Sequence, residues 1–539
     1  MPRLTTGDII ASKLVQQGTD TVFGIPGAHT YDLSDAMARQ EGLRFIHTRH
    51  EQGAGYMAYG YARSSGRPGV FTVVPGPGLL NAGAALCTAY GANAPVMCLT
   101  GNIMSHMIGK GRGQLHELPD QLAILKGLTK WADRINDPTE AERAMDEAFR
   151  QMLSGRPRPV GIEAPWDVFG KSAEVTLSGE VITAPSLAPD PEAVEAALEA
   201  IAKAKNPLIM VGGGALAAAS EVQDLAHLLQ APVTAHRSGK GVMPEDDALS
   251  LLPPAAWRYW KDCDLLIGIG SRLELQYMRW KWLPPGLKTL RIDIDPTEFV
   301  RLPADHTMLA DAASGTQALI DGLPQAPRAD RASTLEAIRQ AVAPDVAAIK
   351  PQVDYLSVIR DVLPRDGFFV EEVSQVGFTA RMAFPVYAPR QYVTCGYQDN
   401  LGFGFNTALG VKVANPDKAV VSVSGDGGFL FGVQELATAM QHGINVVAIV
   451  FNNGSYGNVR RDQQNRYGNR MIGSELQNPD FVDLARSFGA RAERVTDPEG
   501  LRVALTAALH ADAPTVIEVM LARDSDTAPW PLIHPALPE

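Results

Sequence analysis

The residues in this chain with the clearest chemical potential are an aspartate and two asparagines that follow neighbouring apolar runs. Asp426 lies in SGDGGF (424–429), directly after the apolar run AVVSV (419–423). Asn452 and Asn453 end the next such run, INVVAIVFNN. Because a buried strand ends at each place and one helical segment separates them, we expect these groups to lie side by side at the carboxyl edge of a parallel sheet.

The oxygen atoms of these side chains suit magnesium. The glycines beside Asp426 let backbone approach a ligand, and the helical segment after them presents free N–H groups that attract an anion. Asp426 is itself an anion and would repel a bound anion, and a cation between them would remove this repulsion. Mg²⁺ prefers oxygen ligands and combines one or two protein groups with phosphate oxygens. The pattern therefore predicts a magnesium ion that holds a phosphorylated cofactor; the alternative is two ordinary turns.

The composition excludes several classes of partner. The net charge of −12 argues against a nucleic-acid partner, because phosphate binding needs basic patches. The chain begins without the apolar core of a signal peptide, and no apolar run reaches the length of a membrane span. We therefore predict a cytoplasmic location and no membrane partner. None of the four cysteines forms a C-x-x-C pair, so neither a zinc site nor a disulfide framework is indicated.

The chain of 539 residues is too long for one core and divides at two Pro-rich stretches. These linkers, 183–191 and 323–333, separate predicted domains at 1–182, 192–322 and 334–539. Each block alternates short apolar runs with amphipathic segments, and the runs lack period-2 alternation. This pattern predicts three α/β domains, each with a doubly wound parallel sheet.

GDG followed by NN at this distance resembles the signature of a thiamine-diphosphate superfamily. Its members include acetohydroxyacid (acetolactate) synthases, pyruvate oxidases and benzoylformate decarboxylases. The resemblance covers nearly the whole chain and implies pyrimidine-binding, central and diphosphate-binding domains, with thiamine diphosphate and Mg²⁺ as cofactors. It implies that Asp426, Asn453 and the Ser455 carbonyl hold the metal. The cofactor-binding residues that it implies are Pro26, Asn81, Val373, Ser374, Gln375, Asp399, Leu401, Gly427 and Gly428.

The resemblance also assigns a catalytic glutamate and the shape of the cofactor. Glu51 lies in RHEQG, the context of the family glutamate that hydrogen-bonds the aminopyrimidine ring. Leu401, in YQDNLGFGF, corresponds to the apolar wedge that bends the cofactor, and the Asp399 carbonyl would face the aminopyrimidine. In the family, the pyrimidine pocket and the diphosphate site come from different subunits. A homodimer is therefore the expected minimum, and a homotetramer is usual.

Two positions bear on the reaction. Ala28 follows GIPG, where pyruvate decarboxylases carry an acidic residue and acetohydroxyacid synthases a small one. His116, in GQLHELPDQ, falls where those synthases offer a glutamine, and we predict that it relays protons as a second catalytic residue. The expected function is decarboxylation of a 2-oxo acid with transfer of the hydroxyalkyl enamine to a carbonyl acceptor, as in an acetolactate-synthase-like carboligase. The alternative is a 2-oxo acid decarboxylase that releases an aldehyde.

Other segments depart from the synthase pattern. Asn458, Arg460 and Asp462 replace the apolar residues that shape the second-substrate pocket, which favours a polar substrate or a solvent-facing helix. The central block resembles a flavin-binding domain, but LSLLPPAAW (249–257) lacks the expected loop, so we expect FAD to be absent. Arg272 corresponds to an arginine that selects the second keto acid in the synthases.

Overall fold

A computed structural model describes residues 2–325 and 327–537. It contains three parallel sheets flanked by helices, which confirms the predicted class of three α/β domains. No helix within these described residues is both long and apolar enough to cross a membrane.

The first domain is built on a six-stranded parallel sheet with the order β3-β2-β4-β5-β7-β6. A small antiparallel pair, β1 and β8, joins the two ends of the domain. The strands are β1 (Arg3–Thr5), β2 (Thr21–Gly24), β3 (Arg44–His47), β4 (Gly69–Val73), β5 (Val96–Asn102), β6 (Trp131–Arg134), β7 (Val160–Pro165) and β8 (Ser172–Glu174). The helices are α1 (Thr6–Gln16), α2 (Tyr31–Arg39), α3 (Glu51–Ser65), α4 (Pro77–Asn81), α5 (Gly83–Gly91), α6 (Gln121–Leu128), α7 (Ala141–Leu153) and α8 (Trp166–Phe169).

The second domain has a five-stranded parallel sheet with the order β10-β9-β11-β12-β13. Its strands are β9 (Pro207–Val211), β10 (Val233–Thr234), β11 (Leu265–Ile269), β12 (Lys288–Asp293) and β13 (His306–Leu309). Its helices are α9 (Pro191–Lys203), α10 (Ala219–Leu229), α11 (Pro253–Trp260), α12 (Thr297–Arg301) and α13 (Ala312–Gly322). The next helix, α14 (Ala332–Ala347), packs on α11, and its Leu335 is buried in the core of this sheet.

The third domain repeats the six-stranded parallel arrangement, with the order β15-β14-β16-β17-β19-β18. Its strands are β14 (Phe368–Glu371), β15 (Tyr392–Val393), β16 (Val420–Gly425), β17 (Val447–Asn452), β18 (Arg491–Val495) and β19 (Thr515–Met520). Its helices are α15 (Gln352–Val362), α16 (Gln375–Ala383), α17 (Gly404–Ala414), α18 (Asp426–Phe429), α19 (Leu436–His442), α20 (Gly457–Arg466), α21 (Phe481–Ser487), α22 (Pro498–Leu509) and α23 (Trp530–Ile533).

The first and third domains share one apolar core through α3 and α17. Both helices are rich in small residues, and a Cβ at Gly60 would collide with the Thr407 carbonyl. A Cβ at Gly410 would likewise collide with the Met57 backbone. Glycine at these positions therefore allows the two helix backbones to approach closely, and the carboxyl ends of both sheets are held in a fixed relation.

Candidate active site

Asp426 lies where the sequence predicted it, at the carboxyl end of β16. Its side chain is only 2 % exposed. The carboxylate accepts hydrogen bonds from the Gly427 N–H (2.9 Å) and from Asn478 Nδ2 (2.7 Å). Burial raises the pKa of this carboxyl, and the hydrogen bonds only partly offset that effect. A buried carboxylate with this environment suits a bound cation.

The loop after β17 reaches the same place. Strands β16 and β17 are parallel neighbours, with Gly425 opposite Phe451, so the residues that follow them are adjacent. The backbone N–H groups of Gly454 and Ser455 lie close enough to the Asp426 carboxylate to lower its pKa, and the Gly454 N–H donates to Asn452 Oδ1 at 3.1 Å. Asn453 Oδ1 accepts hydrogen bonds from the Ser455 N–H and hydroxyl. The structure therefore brings the predicted metal ligands into one loop cluster, and their hard oxygen atoms fit Mg²⁺.

Asn478 is a member of this cluster that the sequence did not reveal. Its Nδ2 donates to both Asp426 and Asn452 Oδ1, at 2.7 and 2.9 Å, and so ties the ends of the two strands together. Asn478 lies in a loop without a recognisable motif, and only its tertiary contacts identify it.

The segment after Asp426 differs in shape from the single helix that its sequence pattern predicts. Helix α18 stops at Phe429, a 3₁₀ turn follows at Val433–Glu435, and α19 ends at His442 with Gly443 in the left-handed conformation. The interruption lies at Gly432, where a Cβ would collide with the Asn406 side chain. Gly443 is the C-cap of α19, and the close approach of Asn406 accounts for the glycine at position 432.

The two glycines after Asp426 are also constrained by protein contacts. A Cβ at Gly427 would collide with the Tyr456 ring, and one at Gly428 would collide with the Glu372 carboxylate. Packing alone therefore requires glycine at both positions. Their predicted contact with a diphosphate stays a prediction that the geometry permits.

Residues 373–375 form the neighbouring loop, between β14 and α16. Ser374 caps α16, since its hydroxyl accepts a hydrogen bond from the Gly377 N–H at 3.0 Å. Gln375 Nε2 lies 3.5 Å from Asn458 Oδ1, while its buried Oε1 has no hydrogen-bond partner among the described residues. Val373 lies beside them, at the end of the strand next to β16. The N-terminus of α16 and the Asp426 cluster therefore share one edge, as phosphate binding requires.

Glu372 is a second residue that sequence reasoning missed. It is fully buried, and its carboxylate accepts hydrogen bonds from the backbone N–H groups of Gly402 (2.5 Å) and Gly404 (3.3 Å). Burial raises the pKa of Glu372 to about 7, against the lowering effect of hydrogen bonds from Ser424 and the backbone. Glu372 therefore fixes the turn that follows Leu401.

The loop that carries Asp399 and Leu401 lies between β15 and α17. Asp399 is in the left-handed backbone region, with φ of 42°. Leu401 is half-buried beside the turn that Glu372 holds. Asn400 is fixed by hydrogen bonds with Tyr56 and Thr88 of the first domain. This loop is thus positioned by groups from outside its own strand and helix.

Glu51 is the first residue of α3, in the first domain. Its Oε2 accepts a hydrogen bond from Asn81 Nδ2 at 2.9 Å, so the structure brings these two predicted residues together. Glu51 is half-buried, whereas Asn81 and Pro26 are exposed. His50 caps the same helix by accepting a hydrogen bond from the Gln52 N–H, which is a structural role.

His116 lies against the same group of loops. Its carbonyl packs on Gly76, which precedes the helix that ends at Asn81. The His116 ring stacks on His29 with a centroid distance of 5.0 Å, and the centroid of the Trp166 ring lies 5.1 Å from that of His29. His29 is 1 % exposed and its Nε2 contacts the Leu115 carbonyl at 3.0 Å. Burial and the neighbouring His116 lower the pKa of His29.

Several residues considered from the sequence lie away from this cluster. Arg460 pairs with Glu475 and Asp524, and Asp462 is on the exposed side of α20. Asn458 of that helix lies 3.5 Å from Gln375 of the predicted diphosphate loop. Arg272 lines a cavity of about 430 Å³ between the domains, at the carboxyl edge of the second sheet. The segments of the second domain that resemble a flavin-binding domain meet at this cavity. The expected absence of FAD stays a prediction.

Comparisons with known proteins agree with this arrangement. Residues 4–124, 194–319 and 372–519 match the N-terminal thiamine pyrophosphate (TPP) binding domain, the central domain and the C-terminal TPP binding domain of thiamine pyrophosphate enzymes. The chain is 35% identical to a probable 2-ketoarginine decarboxylase, AruI, of Pseudomonas aeruginosa, over 96% of this chain and 94% of that protein.

Acetolactate synthases are also similar across almost the full length. A probable acetolactate synthase large subunit of Methanocaldococcus jannaschii is 32% identical, over 95% of this chain and 91% of that protein. The large subunit of acetolactate synthase isozyme 1 of Escherichia coli is 30% identical, over 99% of this chain and 96% of that protein. The three matched domains and these full-length relatives establish that the chain belongs to the thiamine pyrophosphate enzyme family.

Proposed function

We propose that this chain decarboxylates a 2-oxo acid with thiamine diphosphate and Mg²⁺. The observation that carries the proposal is the pair of clusters at the carboxyl ends of the two six-stranded sheets. One joins Asp426 to the loop of Asn453 and Ser455, and the other joins Glu51 to Asn81. The names of the similar proteins, a 2-ketoarginine decarboxylase and acetolactate synthases, support a 2-oxo acid as the substrate class.

The third domain supplies the groups that would hold the cofactor. Asp426, Asn453 Oδ1 and the Ser455 carbonyl would bind Mg²⁺, and the N–H groups at the start of α16 would take phosphate oxygens. Leu401 would support the bend of the cofactor, on a turn that Glu372 fixes. When bound, thiamine diphosphate supplies the nucleophilic carbon and the electron sink that loss of carbon dioxide requires.

The first domain supplies the proton chemistry. Glu51 would hold or release a proton at its carboxylate, facing the pyrimidine ring, and Asn81 Nδ2 would keep that carboxylate oriented. Neither residue touches the metal cluster through a hydrogen bond, and Glu51 is bonded within its own domain.

We propose that the pyrimidine pocket of one subunit completes the diphosphate site of its partner. A homodimer is the minimum assembly under this proposal, and a homotetramer is the expected one. Large apolar side chains are exposed beside both clusters, with Leu80 next to Asn81 at 50% and Phe431 after the GDG segment at 49%. Exposed groups of this size suit a surface that another copy of the chain covers.

Protonation of the bound product, with release of an aldehyde, is the outcome that the geometry favours. His29 and His116 form a stacked pair, with Trp166 beside the buried His29 and the His116 backbone against the turn that precedes α4. Imidazoles can deliver a proton near neutral pH, and a shielded position excludes competing water. The Asn458–Gln375 contact also places polar groups where carboligases of the family have apolar ones.

Carboligation, the expectation from the sequence, is the second candidate. Ala28 is small and lies next to His29, which leaves space for a carbonyl acceptor. The full-length similarity to acetolactate synthases points the same way.

The two candidates differ in their products. Purified protein with thiamine diphosphate and Mg²⁺ should be assayed on a panel of 2-oxo acids that includes pyruvate, benzoylformate and a 2-oxo acid with a cationic side chain. Each assay is run with and without an acceptor aldehyde. Free aldehyde as the main product supports the decarboxylase, and acyloin or acetolactate-type products support the carboligase. If the protein releases no carbon dioxide from any of these substrates, the proposal is contradicted.

The proposed reaction has no net change of oxidation state and therefore does not require a flavin. We propose that purified protein carries no FAD in the second domain. A visible absorption spectrum of the protein as isolated, with added FAD as the positive control, tests this point.

A further inference from the structure

We propose that Arg237 of the second domain is a positioning residue for thiamine diphosphate, because it holds Asp399 in the backbone conformation that the cofactor loop needs. The inference rests on the proposed function, in which the Asp399 carbonyl and Leu401 contact the cofactor. Under this inference the second domain contributes to the active site through Arg237, and it can do so without binding a nucleotide.

Asp399 adopts an unusual conformation and is held by its side chain. Its φ of 42° lies in the left-handed region, which is uncommon for residues with a Cβ and which the contacts of an aspartate side chain can stabilise. Its carboxylate accepts hydrogen bonds from Arg381 at 2.6 and 3.2 Å and from Arg237 at 3.3 and 3.4 Å. These two arginines lower the pKa of Asp399 against the opposing effect of burial, so it is a carboxylate at neutral pH.

Arg237 is anchored in the second domain and reaches into the third. It is 4% exposed and makes two hydrogen bonds to Glu274, at 2.9 and 3.1 Å. Its Nη1 also donates to the Gly396 carbonyl at 2.5 Å. One planar guanidinium therefore joins both ends of the 396–399 turn to a buried carboxylate of another domain.

The rest of the network is rigid. Arg381 is fully buried and makes two further hydrogen bonds, at 2.9 and 3.1 Å, to Glu371 at the end of β14. The Tyr397 ring lies between the guanidinium groups of Arg237 and Arg272, with distances of 4.9 and 4.8 Å to its centroid. The turn that leads to Leu401 is thus held by two arginines that are themselves hydrogen-bonded to the buried carboxylates of Glu274 and Glu371.

Arg279 provides a matched control for Arg237. It also donates to Glu274, at 2.8 and 3.2 Å, but it is bonded to His534 on its other side rather than to the 396–399 turn. Replacing either arginine by glutamine removes one partner of Glu274. Only Arg237→Gln also releases Asp399.

The test is the affinity for thiamine diphosphate, measured by calorimetry in the presence of Mg²⁺. Arg237→Gln should weaken binding on the order of ten-fold, because an unanchored left-handed residue relaxes to other backbone conformations. Arg279→Gln should weaken binding by less than about two-fold, because its hydrogen bonds do not reach the turn. Equal losses in the two variants, or no loss in Arg237→Gln, would overturn the inference.

An Asp399→Gly background separates positioning from a general structural effect. Glycine adopts left-handed backbone without a Cβ penalty, so it does not depend on the arginine. Adding Arg237→Gln to this background should change the affinity by less than about two-fold. The same ten-fold loss in both backgrounds would show that Arg237 acts by another route.

A third variant keeps the test decisive if Arg237→Gln does not fold. Arg237→Lys keeps the charge between Glu274 and Asp399 but loses the two-pronged geometry, and a loss of roughly three-fold is expected. Wild-type affinity in Arg237→Lys would contradict the inference. Failure of the wild-type protein to bind thiamine diphosphate would instead contradict the proposed function.

Discussion

The first and third domains have the same sheet topology but place different chemistry at equivalent strand ends. Their strand orders, β3-β2-β4-β5-β7-β6 and β15-β14-β16-β17-β19-β18, coincide when each strand of the first is matched to the strand twelve places later. The loop after β4 leads to Asn81, and the equivalent loop after β16 carries Asp426. Glu51 begins α3, and the loop before the equivalent helix α17 presents Asp399 and Leu401.

This comparison shows that the sheets determine where functional groups can lie, while the loops determine what they do. The third domain places the Asp426 carboxylate together with amide and carbonyl oxygens at the ends of β16 and β17, which suits a cation and phosphates. The first domain has a carboxylate with an amide partner and two histidines, which suits proton transfer.

The two clusters also differ in burial. Asp426 is 2 % exposed and is surrounded by hydrogen bonds from its own chain. Glu51 is half-buried, and Asn81 beside it is exposed. Under the proposed function, one chain supplies all the metal ligands, whereas the exposed side of the Glu51–Asn81 cluster is available to a partner subunit.

Changing the metal cluster should have the largest effect. Asp426→Asn removes the only carboxylate among the predicted metal ligands and should weaken Mg²⁺-dependent binding of thiamine diphosphate on the order of 100-fold. Calorimetry with and without Mg²⁺ measures the loss. Asp417→Asn, an exposed change in the same domain, is the control and should bind normally. Unchanged binding in Asp426→Asn would contradict the predicted metal site.

Changing the proton-transfer cluster should separate chemistry from binding. Glu51→Gln keeps an oxygen that can accept the Asn81 hydrogen bond but cannot exchange a proton, so turnover should fall by about 100-fold or more. Affinity for thiamine diphosphate should change much less than in Asp426→Asn. The rate of hydrogen–deuterium exchange at the reactive carbon of the bound cofactor reports the step directly. An exchange rate in Glu51→Gln equal to that of the wild type would contradict the proton-transfer role of Glu51.

The histidine pair should affect the product more than the overall rate. In His116→Gln the imidazole that stacks on His29 is replaced by an amide, which cannot act as a general acid, so aldehyde release should fall by about ten-fold or more. The share of carboligation products should rise when an acceptor aldehyde is present. An unchanged ratio of products would show that His116 does not deliver the proton, and wild-type protein assayed in parallel gives the reference ratio.

Glu372 should produce a smaller effect that depends on pH. Its pKa is about 7 in the folded protein and 4.5 for an ordinary glutamate, so the folded state binds the proton more tightly. Preferential protonation of the folded state contributes to the free energy of unfolding. This contribution is complete below pH 4.5 and decreases as the pH rises to about 7. Glu372→Gln should therefore gain stability relative to wild type between these pH values, as measured by denaturant unfolding. A constant difference across this range would contradict the assignment.

Sequence patterns predicted the features that depend on strand ends. The apolar runs before Asp426 and Asn452 imply buried parallel strands, so their adjacency followed, and the motif around Glu51 identified that residue. Contacts between distant segments were not predictable. Glu372 is recognised only when its carboxylate meets the Gly402 N–H, and Asn478 only when it bridges two strands. The contact of His29 with Trp166 likewise joins residues that are distant in the sequence.

The most direct test of the central claim is a mixture of two inactive variants. If Glu51 of one subunit and Asp426 of its partner serve one site, a mixed Glu51→Gln/Asp426→Asn dimer contains one intact site and one doubly altered site. Co-expression of differently tagged chains, with random pairing, should therefore restore about a quarter of wild-type activity. Each variant alone should remain inactive. No recovery in purified mixed dimers would contradict a site shared between subunits.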